Sequence, residues 1–168
     1  MGLYIKSNAL FSQIKSNQKT GPVVVGVEVQ NEMNLGALIR LACNFGSEDV
    51  RFVFKEIPSL NKTKIDRTAH SSMRSLEWKC SNYDALAELR KEMPLVAIET
   101  ATNATDITKT ALPEHCALLV GGESYGMPEE VLEMCDMAVY IPMPGINKSM
   151  NVSHAMSVGL YEWLRQHG

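Results

Sequence analysis

Apolar and polar positions along the chain fall into two kinds of block. Near-continuous apolar runs occupy residues 22–27, 50–54, 76–79, 95–98, 117–120 and 138–142. Between them lie amphipathic stretches at residues 3–16, 35–45, 83–92, 128–135 and 152–166. Short apolar runs bounded by turn residues predict strands, and apolar residues at i, i+3, i+4 and i+7 predict helices with one core-facing stripe. One stripe is Leu35, Leu38, Ile39, Ala42 and Phe45; another is Val152, Ala155, Met156, Gly159, Leu160 and Trp163. Strands that are apolar throughout are buried on both faces. The alternation therefore predicts one α/β domain over residues 1–168, with a mostly parallel sheet flanked by helices and residues 1–20 as a helical extension. No repeat, low-complexity segment or linker interrupts it.

In such sheets, ligands gather at the carboxyl ends of the strands. Three strand-to-helix loops there are unusually polar or glycine-rich. The first is Asn31-Glu32-Met33-Asn34-Leu35-Gly36, leading into a helix that carries Arg40 and ends at Asn44-Phe45-Gly46. Asn34 is a natural N-cap and Gly46 a natural C′ residue. Arg40 lies about 100° from Ile39, at the edge of the buried stripe, so a surface arginine and a functional one both suit the position.

The second loop is Gly121-Gly122-Glu123-Ser124-Tyr125-Gly126. Adjacent glycines let a ligand approach the backbone closely. Glu123 suits a ribose hydroxyl, a cation or the capping of a turn. Pro128 at a helix N1 position, followed by Glu129 and Glu130, marks the next helix start. No Gly-Lys-Ser/Thr follows the glycines and no G-x-G-x-x-G follows the first strand, which excludes a P-loop and argues against a Rossmann site. The third loop runs from Ile141 to Asn151 through Pro142, Met143, Pro144, Gly145, Ser149 and Met150, and either Ser149 or Asn151 can cap the last helix.

At 168 residues and 45% hydrophobic, the chain suits one compact core. It has no apolar run near the roughly 20 residues of a membrane span and no signal-peptide layout at its start. Lys6 occupies the Ser/Thr position of a myristoylation motif, so a cytoplasmic location is expected. Cys43, Cys80, Cys116 and Cys135 form no C-x-x-C pair and have no clustered histidines. They read as reduced, mostly buried thiols rather than zinc ligands or a disulfide framework. The formal net charge is −3, yet residues 55–74 gather Lys55, Lys62, Lys64, Arg67, His70 and Arg74 against Glu56 and Asp66. That segment is either a solvated helix and loop or a surface facing nucleic acid.

Taken in order, the three loops resemble those of the SpoU (TrmH-like) branch of the SPOUT RNA methyltransferases. The likeness rests on Asn34-x-Gly36-x-x-x-Arg40 with Phe45-Gly46, and on Leu119-Val120-Gly121-Gly122-Glu123-x-x-Gly126. Its third part is Ile141-Pro142-Met143-x-Gly145 leading to Ser149-Met150-Asn151-Val152-Ser153. It covers residues 22–165. The resemblance implies 2′-O-methylation of ribose in tRNA or rRNA with S-adenosyl-L-methionine (SAM), leaving S-adenosyl-L-homocysteine (SAH). It also implies a C-terminal trefoil knot and a homodimer with sites near the interface. Many relatives carry an extra N-terminal RNA-binding domain; with about 20 residues before the first strand, none is expected here, and no metal is expected because the sequence offers no ligand cluster. A non-catalytic knotted RNA-binding protein and a base-directed methyltransferase are the alternative readings.

By the same resemblance, Arg40 is the principal catalytic residue and Asn34 positions it or the substrate. Glu123 organises the site, and Ser149 and Asn151 bind RNA phosphate or support the arginine. Gly121, Gly122, Ile141, Met143 and Met150 line the cofactor cradle. The chain departs from the family pattern at Gly122, where Asn is common, at Ser124-Tyr125, and at His154. Chemically, a sulfonium leaving group needs no acid, so the difficulty lies in removing the ribose hydroxyl proton. Arg40 as a literal base would need its pKa lowered from above about 12 to neutrality, costing roughly 7 kcal/mol. Anchoring the adjacent phosphate and stabilising the developing alkoxide is the less costly role.

Overall fold

The apolar runs become strands of one seven-stranded sheet in the computed structural model, which describes residues 20–70 and 76–168. In chain order the elements are β1 (Val23–Val27), α1 (Glu32–Asn44), β2 (Val50–Val53), α2 (Lys62–Ala69), β3 (Trp78–Ser81), α3 (Asp84–Glu92) and β4 (Leu95–Ile98). They continue with β5 (Thr105–Asp106), a 3₁₀ turn (Ile107–Lys109), β6 (Ala117–Gly121), α4 (Glu129–Leu132), β7 (Met137–Tyr140) and α5 (Val152–His167). The helix expected over residues 3–16 lies outside the described residues, as does Arg74 of the basic segment.

The strand order is β3-β2-β1-β6-β4-β7-β5, and every pairing between these strands is parallel. Alternation along β6 explains the two-faced core, because successive side chains point to opposite faces. Leu118 and Val120 join Leu35, Leu38, Ile39, Leu160 and Trp163 on the face covered by α1, α2 and α5. Ala117 and Leu119 join Leu86, Leu89 and Val131 on the face covered by α3 and α4. Fully burying each large side chain of this kind contributes about 1.5–3 kcal/mol.

Local chemistry moved several boundaries. The strand expected at 76–79 pairs instead over Trp78–Ser81, because its register with β2 sets Val50 against Trp78. The strand expected to reach Pro142 stops at Tyr140, since proline has no N–H for the ladder. Pro128, expected at N1, is the N-cap of a helix shorter than expected. Asn34 does not cap α1. Asn31 does, its side chain accepting from the N–H groups of Met33 (2.9 Å) and Asn34 (3.3 Å). Asn34 then falls in the first turn with its amide free to look elsewhere.

Two details fix α1 in place. At its end Gly46 adopts φ 74°, and Ser47 N–H bonds Ala42 O (2.9 Å) while Gly46 N–H bonds Cys43 O (3.4 Å), a Schellman closure. In its middle, a Cβ on Gly36 would lie 2.6 Å from both Ile65 O and Thr68 Cβ. Gly36 is therefore required by the packing of α2 on α1. At the far end of the chain, α5 is strapped to residues 110–114 by Trp163 Nε1 to Glu114 O (3.0 Å) and Gln166 Nε2 to Thr110 O (3.0 Å). That strap directs the amino end of α5 toward the carboxyl ends of the strands.

Candidate active site

A cleft of about 560 Å³ opens at the carboxyl ends of the adjacent strands β6, β4 and β7. Its volume is that of an ordinary small-molecule site. Gly121, Gly122 and Glu123 form one wall; Ile141, Met143, Ser149, Met150 and Asn151 form the other; Ile98, Glu99 and Thr100 close it behind. All three polar loops picked out in the sequence end at or beside this place.

The glycine wall is built without spare volume. A Cβ on Gly121 would come 2.3 Å from Gly126 C and Met127 N, and one on Gly122 would come 2.4 Å from Glu28 O. These glycines are thus demanded by the protein's own backbone, beyond any close approach of a ligand. Residues 122–126 form a tight hairpin, closed by Gly126 N–H to Gly122 O at 3.0 Å, with Gly126 at φ 67°. Glu99 pins it: one carboxylate oxygen accepts from Met127 N–H (3.0 Å), the other from Thr100 N–H (2.8 Å). Sequence reading missed Glu99, although a lone carboxylate directly after the apolar run 95–98 is a recognisable mark.

A chain of hydrogen bonds then joins three of the expected residues across 89 and 117 positions of sequence. Asn151 Nδ2 donates to Asn34 Oδ1 (3.2 Å), and Asn34 Nδ2 donates to Glu123 Oε1. Asn151 is also the N-cap of α5, its Oδ1 accepting from Ser153 N–H (2.9 Å) and Ser153 Oγ (2.7 Å). One amide therefore caps a helix with its oxygen and orients Asn34 with its nitrogen. The carboxylate that ends the chain is exposed to solvent at the rim of the cleft.

The other expected residues sit differently. Ser149 lines the cleft, and its hydroxyl donates to Asn147 Oδ1 (2.9 Å). Lys148 Nζ closes the same loop onto Met143 O at 2.5 Å. Arg40 is not brought into the cleft. It is exposed, it lies six residues beyond Asn34 and so about 120° around α1, and it makes no hydrogen bond or ion pair with any described residue.

The cysteines suit no nucleophilic role here. Burial pushes Cys116 up to about 12; burial, aided by Asp136 and opposed by Arg90, pushes Cys135 up to about 11. Both stay protonated at neutral pH, and the thiol is a poor nucleophile. Among the described residues no three His, Cys, Asp or Glu side chains gather to hold a metal ion, and no helix is long and apolar enough to cross a membrane.

Comparison with known proteins agrees with this geometry. The chain is 32% identical over 141 residues to the 23S rRNA (guanosine-2′-O-)-methyltransferase RlmB of Nitrosomonas europaea, covering 83% of this chain and 54% of that one. An AdoMet-bound rRNA methyltransferase from Sinorhizobium meliloti has the same fold, with TM-score 0.80 and 22% identity over 90% of this chain and 58% of that one. A solved structure concerned with 2-OH methylation of C/U34 on tRNA aligns with TM-score 0.76 and 26% identity, over 86% of this chain and 95% of that one. The chain spans between 43% and 66% of the length of the first curated relatives it matches. Residues 21–161 match the model of the SpoU rRNA Methylase family, and the chain belongs to that family.

Proposed function

We propose that the chain transfers a methyl group from SAM to the 2′-hydroxyl of a ribose in tRNA or rRNA. The observation that carries this reading is the hydrogen-bonded run Asn151–Asn34–Glu123 at the rim of a cleft walled by glycine backbone. That cleft suits the cofactor. It offers the backbone of Gly121 and Gly122 beside the apolar Ile98, Val120, Ile141 and Val152, a mixture that a polar ring with an apolar face requires. Gly121, Gly122, Ile141, Met143 and Met150 would hold SAM, which supplies an activated methyl when bound.

The chain's own residues have distinct tasks in this reading. Glu123, oriented by Asn34, accepts a hydrogen bond from the ribose and fixes its hydroxyl. Asn151 keeps Asn34 in the orientation that leaves its nitrogen on Glu123. Arg40, which makes no hydrogen bond or ion pair with any described residue and lies outside its own chain's cleft, receives the RNA phosphate and, in a site completed by a second copy, stabilises negative charge growing on the ribose oxygen. Ser149 is the remaining hydroxyl beside the phosphate path.

A second copy of the chain completes the assembly as we read it. The packed pair α1 and α5 exposes the apolar side chains of Met33 (66%), Tyr161 (63%) and Leu164, which an isologous partner would cover. The knotted C-terminal threading and the cytoplasmic location belong to the same proposal, on family likeness. Calorimetric titration with SAH in the presence of a chelator, alongside maps of 2′-O-methyl positions in total RNA with and without the gene, tests the reading. Binding plus one or more lost positions supports it; neither at millimolar SAH rejects it.

A further inference from the structure

The hairpin of residues 122–126 has a cleft on each side. The second, of about 400 Å³, opens toward the carboxyl end of β1 and is lined by Glu28, Gln30, Lys55, Tyr83, Tyr125 and Glu130. Both clefts share Gly122, Glu123 and Gly126. Glu123, the carboxylate that accepts from Asn34, is thus a wall common to both.

The second cleft is a built feature. Glu28 directly follows β1 at φ 54°, a left-handed conformation that non-glycine residues adopt only when the surroundings enforce it. That turn brings its carbonyl so close to the hairpin that only glycine serves at position 122. Glu28 Oε1 accepts from Lys55 N–H (2.6 Å) and from the Tyr83 hydroxyl (2.6 Å), while Oε2 has no partner among the described residues. Burial and then the bond to Glu28 push the Tyr83 hydroxyl upward, so it remains a donor. Lys55 Nζ is spent on Glu130 at 3.1 Å. With Glu28, Glu123 and Glu130 against one neutralised lysine, the cleft disfavours phosphate and favours a neutral group that donates N–H. At its rim Tyr125 is 99% exposed and stacks on no other ring among the described residues. An unpartnered aromatic beside hydrogen-bond acceptors is the equipment that takes an unstacked nucleobase.

Methyl transfer brings two molecules together at one point, so the clefts that hold them must meet there. We propose that the second cleft receives the base of the target nucleotide, stacked on Tyr125 with its N–H edge on Glu28, while its ribose lies at Glu123. This rests on the methyl-transfer reading above. A carboxylate oxygen favours a base with adjacent imino and amino donors, guanine foremost, over uracil, whose single N–H lies between two carbonyls.

The test is an amide NMR titration of the full chain, held with SAH, using guanosine 5′-monophosphate and then uridine 5′-monophosphate. The guanosine probe should shift the amides of Glu28 and of residues 122–126. The uridine probe should bind several-fold more weakly, and Tyr125→Ala should weaken the guanosine probe about tenfold, as for loss of one stacked base. Shifts confined to the first cleft, no shifts at millimolar probe, or equal binding by Tyr125→Ala would overturn the proposal. In methyl transfer to total RNA, Tyr125→Ala should raise the RNA KM about tenfold with SAH affinity unchanged, and Tyr125→Phe should restore it. An unchanged KM counts against the base site. Failure of the wild type to bind SAH counts against the methyl-transfer reading, and the mononucleotide titration run without SAH still decides this one.

Discussion

The first and third turns of α1 carry the two polar residues that the family likeness ranks highest, and they live in opposite conditions. Asn34 is tied on both sides, to Glu123 and to Asn151, and its own N–H is capped by Asn31. Arg40, two turns on, touches nothing polar among the described residues. A group the fold already uses is an orienting element, and its loss is felt by structure and activity together. A charged group the fold does not use has no structural task, so any effect of its loss must come through what binds. On the proposed reading, the same helix separates positioning from recognition.

The largest expected effect breaks or confirms that separation directly. Arg40→Ala should lower single-turnover methyl transfer at least about a hundredfold, the scale for losing one charge-stabilising donor, here fixed in place by the bound RNA. Its unfolding free energy should stay within about 0.5 kcal/mol of wild type, as for an exposed side chain without partners. Arg40→Lys should recover little, since a point charge does not reproduce the planar fork. Denaturant unfolding run beside the kinetic assay checks both halves.

Gly36, between the two turns, should behave in the reverse way. The Cβ of Gly36→Ala would meet Ile65 O and Thr68 Cβ at 2.6 Å, so α2 must move away. A loss of about 1–3 kcal/mol in urea unfolding is expected. Stability equal to wild type would mean that the α1–α2 contact is looser than described.

Asn34→Ala should show the mixed behaviour of an orienting residue. It removes one bond to a carboxylate and one to an amide, for about 1 kcal/mol of stability, and lowers turnover while leaving SAH affinity near wild type. Unchanged stability with lost turnover would make it a twin of Arg40 and dissolve the contrast.

The smallest effect is a control that touches neither turn. Burial raises Cys116 from the ordinary 9.0 to about 12, so the folded protein keeps this proton after the unfolded chain has lost it. The stabilising contribution is complete below pH 9 and is lost as pH rises from 9 toward 12, by at most about 1.4 kcal/mol per pH unit. Between pH 9 and 10, wild type should lose roughly 1 kcal/mol more than Cys116→Ala. Parallel pH profiles of the two would contradict the buried thiol.

How much of this was legible beforehand depends on what each residue answers to. The runs at 95–98 and 117–120 declared themselves because they are apolar on both sides of the strand, and the structure starts β4 and β6 there. Thr105–Asp106 is polar and two residues long, and it is a strand only because β7 offers it a partner. The choice of Asn31 over Asn34 as cap turned on the backbone path into α1, which composition does not encode. The run Asn151–Asn34–Glu123 joins residues from three loops, so no local pattern forecast it; family likeness pointed to its members and the fold brought them together. Glu28 and Tyr83 carried no sequence signal at all, because a left-handed glutamate is imposed by its neighbours.

The most direct measurement of the central claim is transfer of labelled methyl from SAM to total RNA from cells lacking the gene. The RNA is then digested to nucleosides and the labelled products are separated. The account predicts label in one or a few 2′-O-methylnucleosides, lost with Arg40→Ala and strongly reduced with Asn34→Ala. Label in base-methylated nucleosides, or no transfer by a wild-type protein that folds, would contradict it.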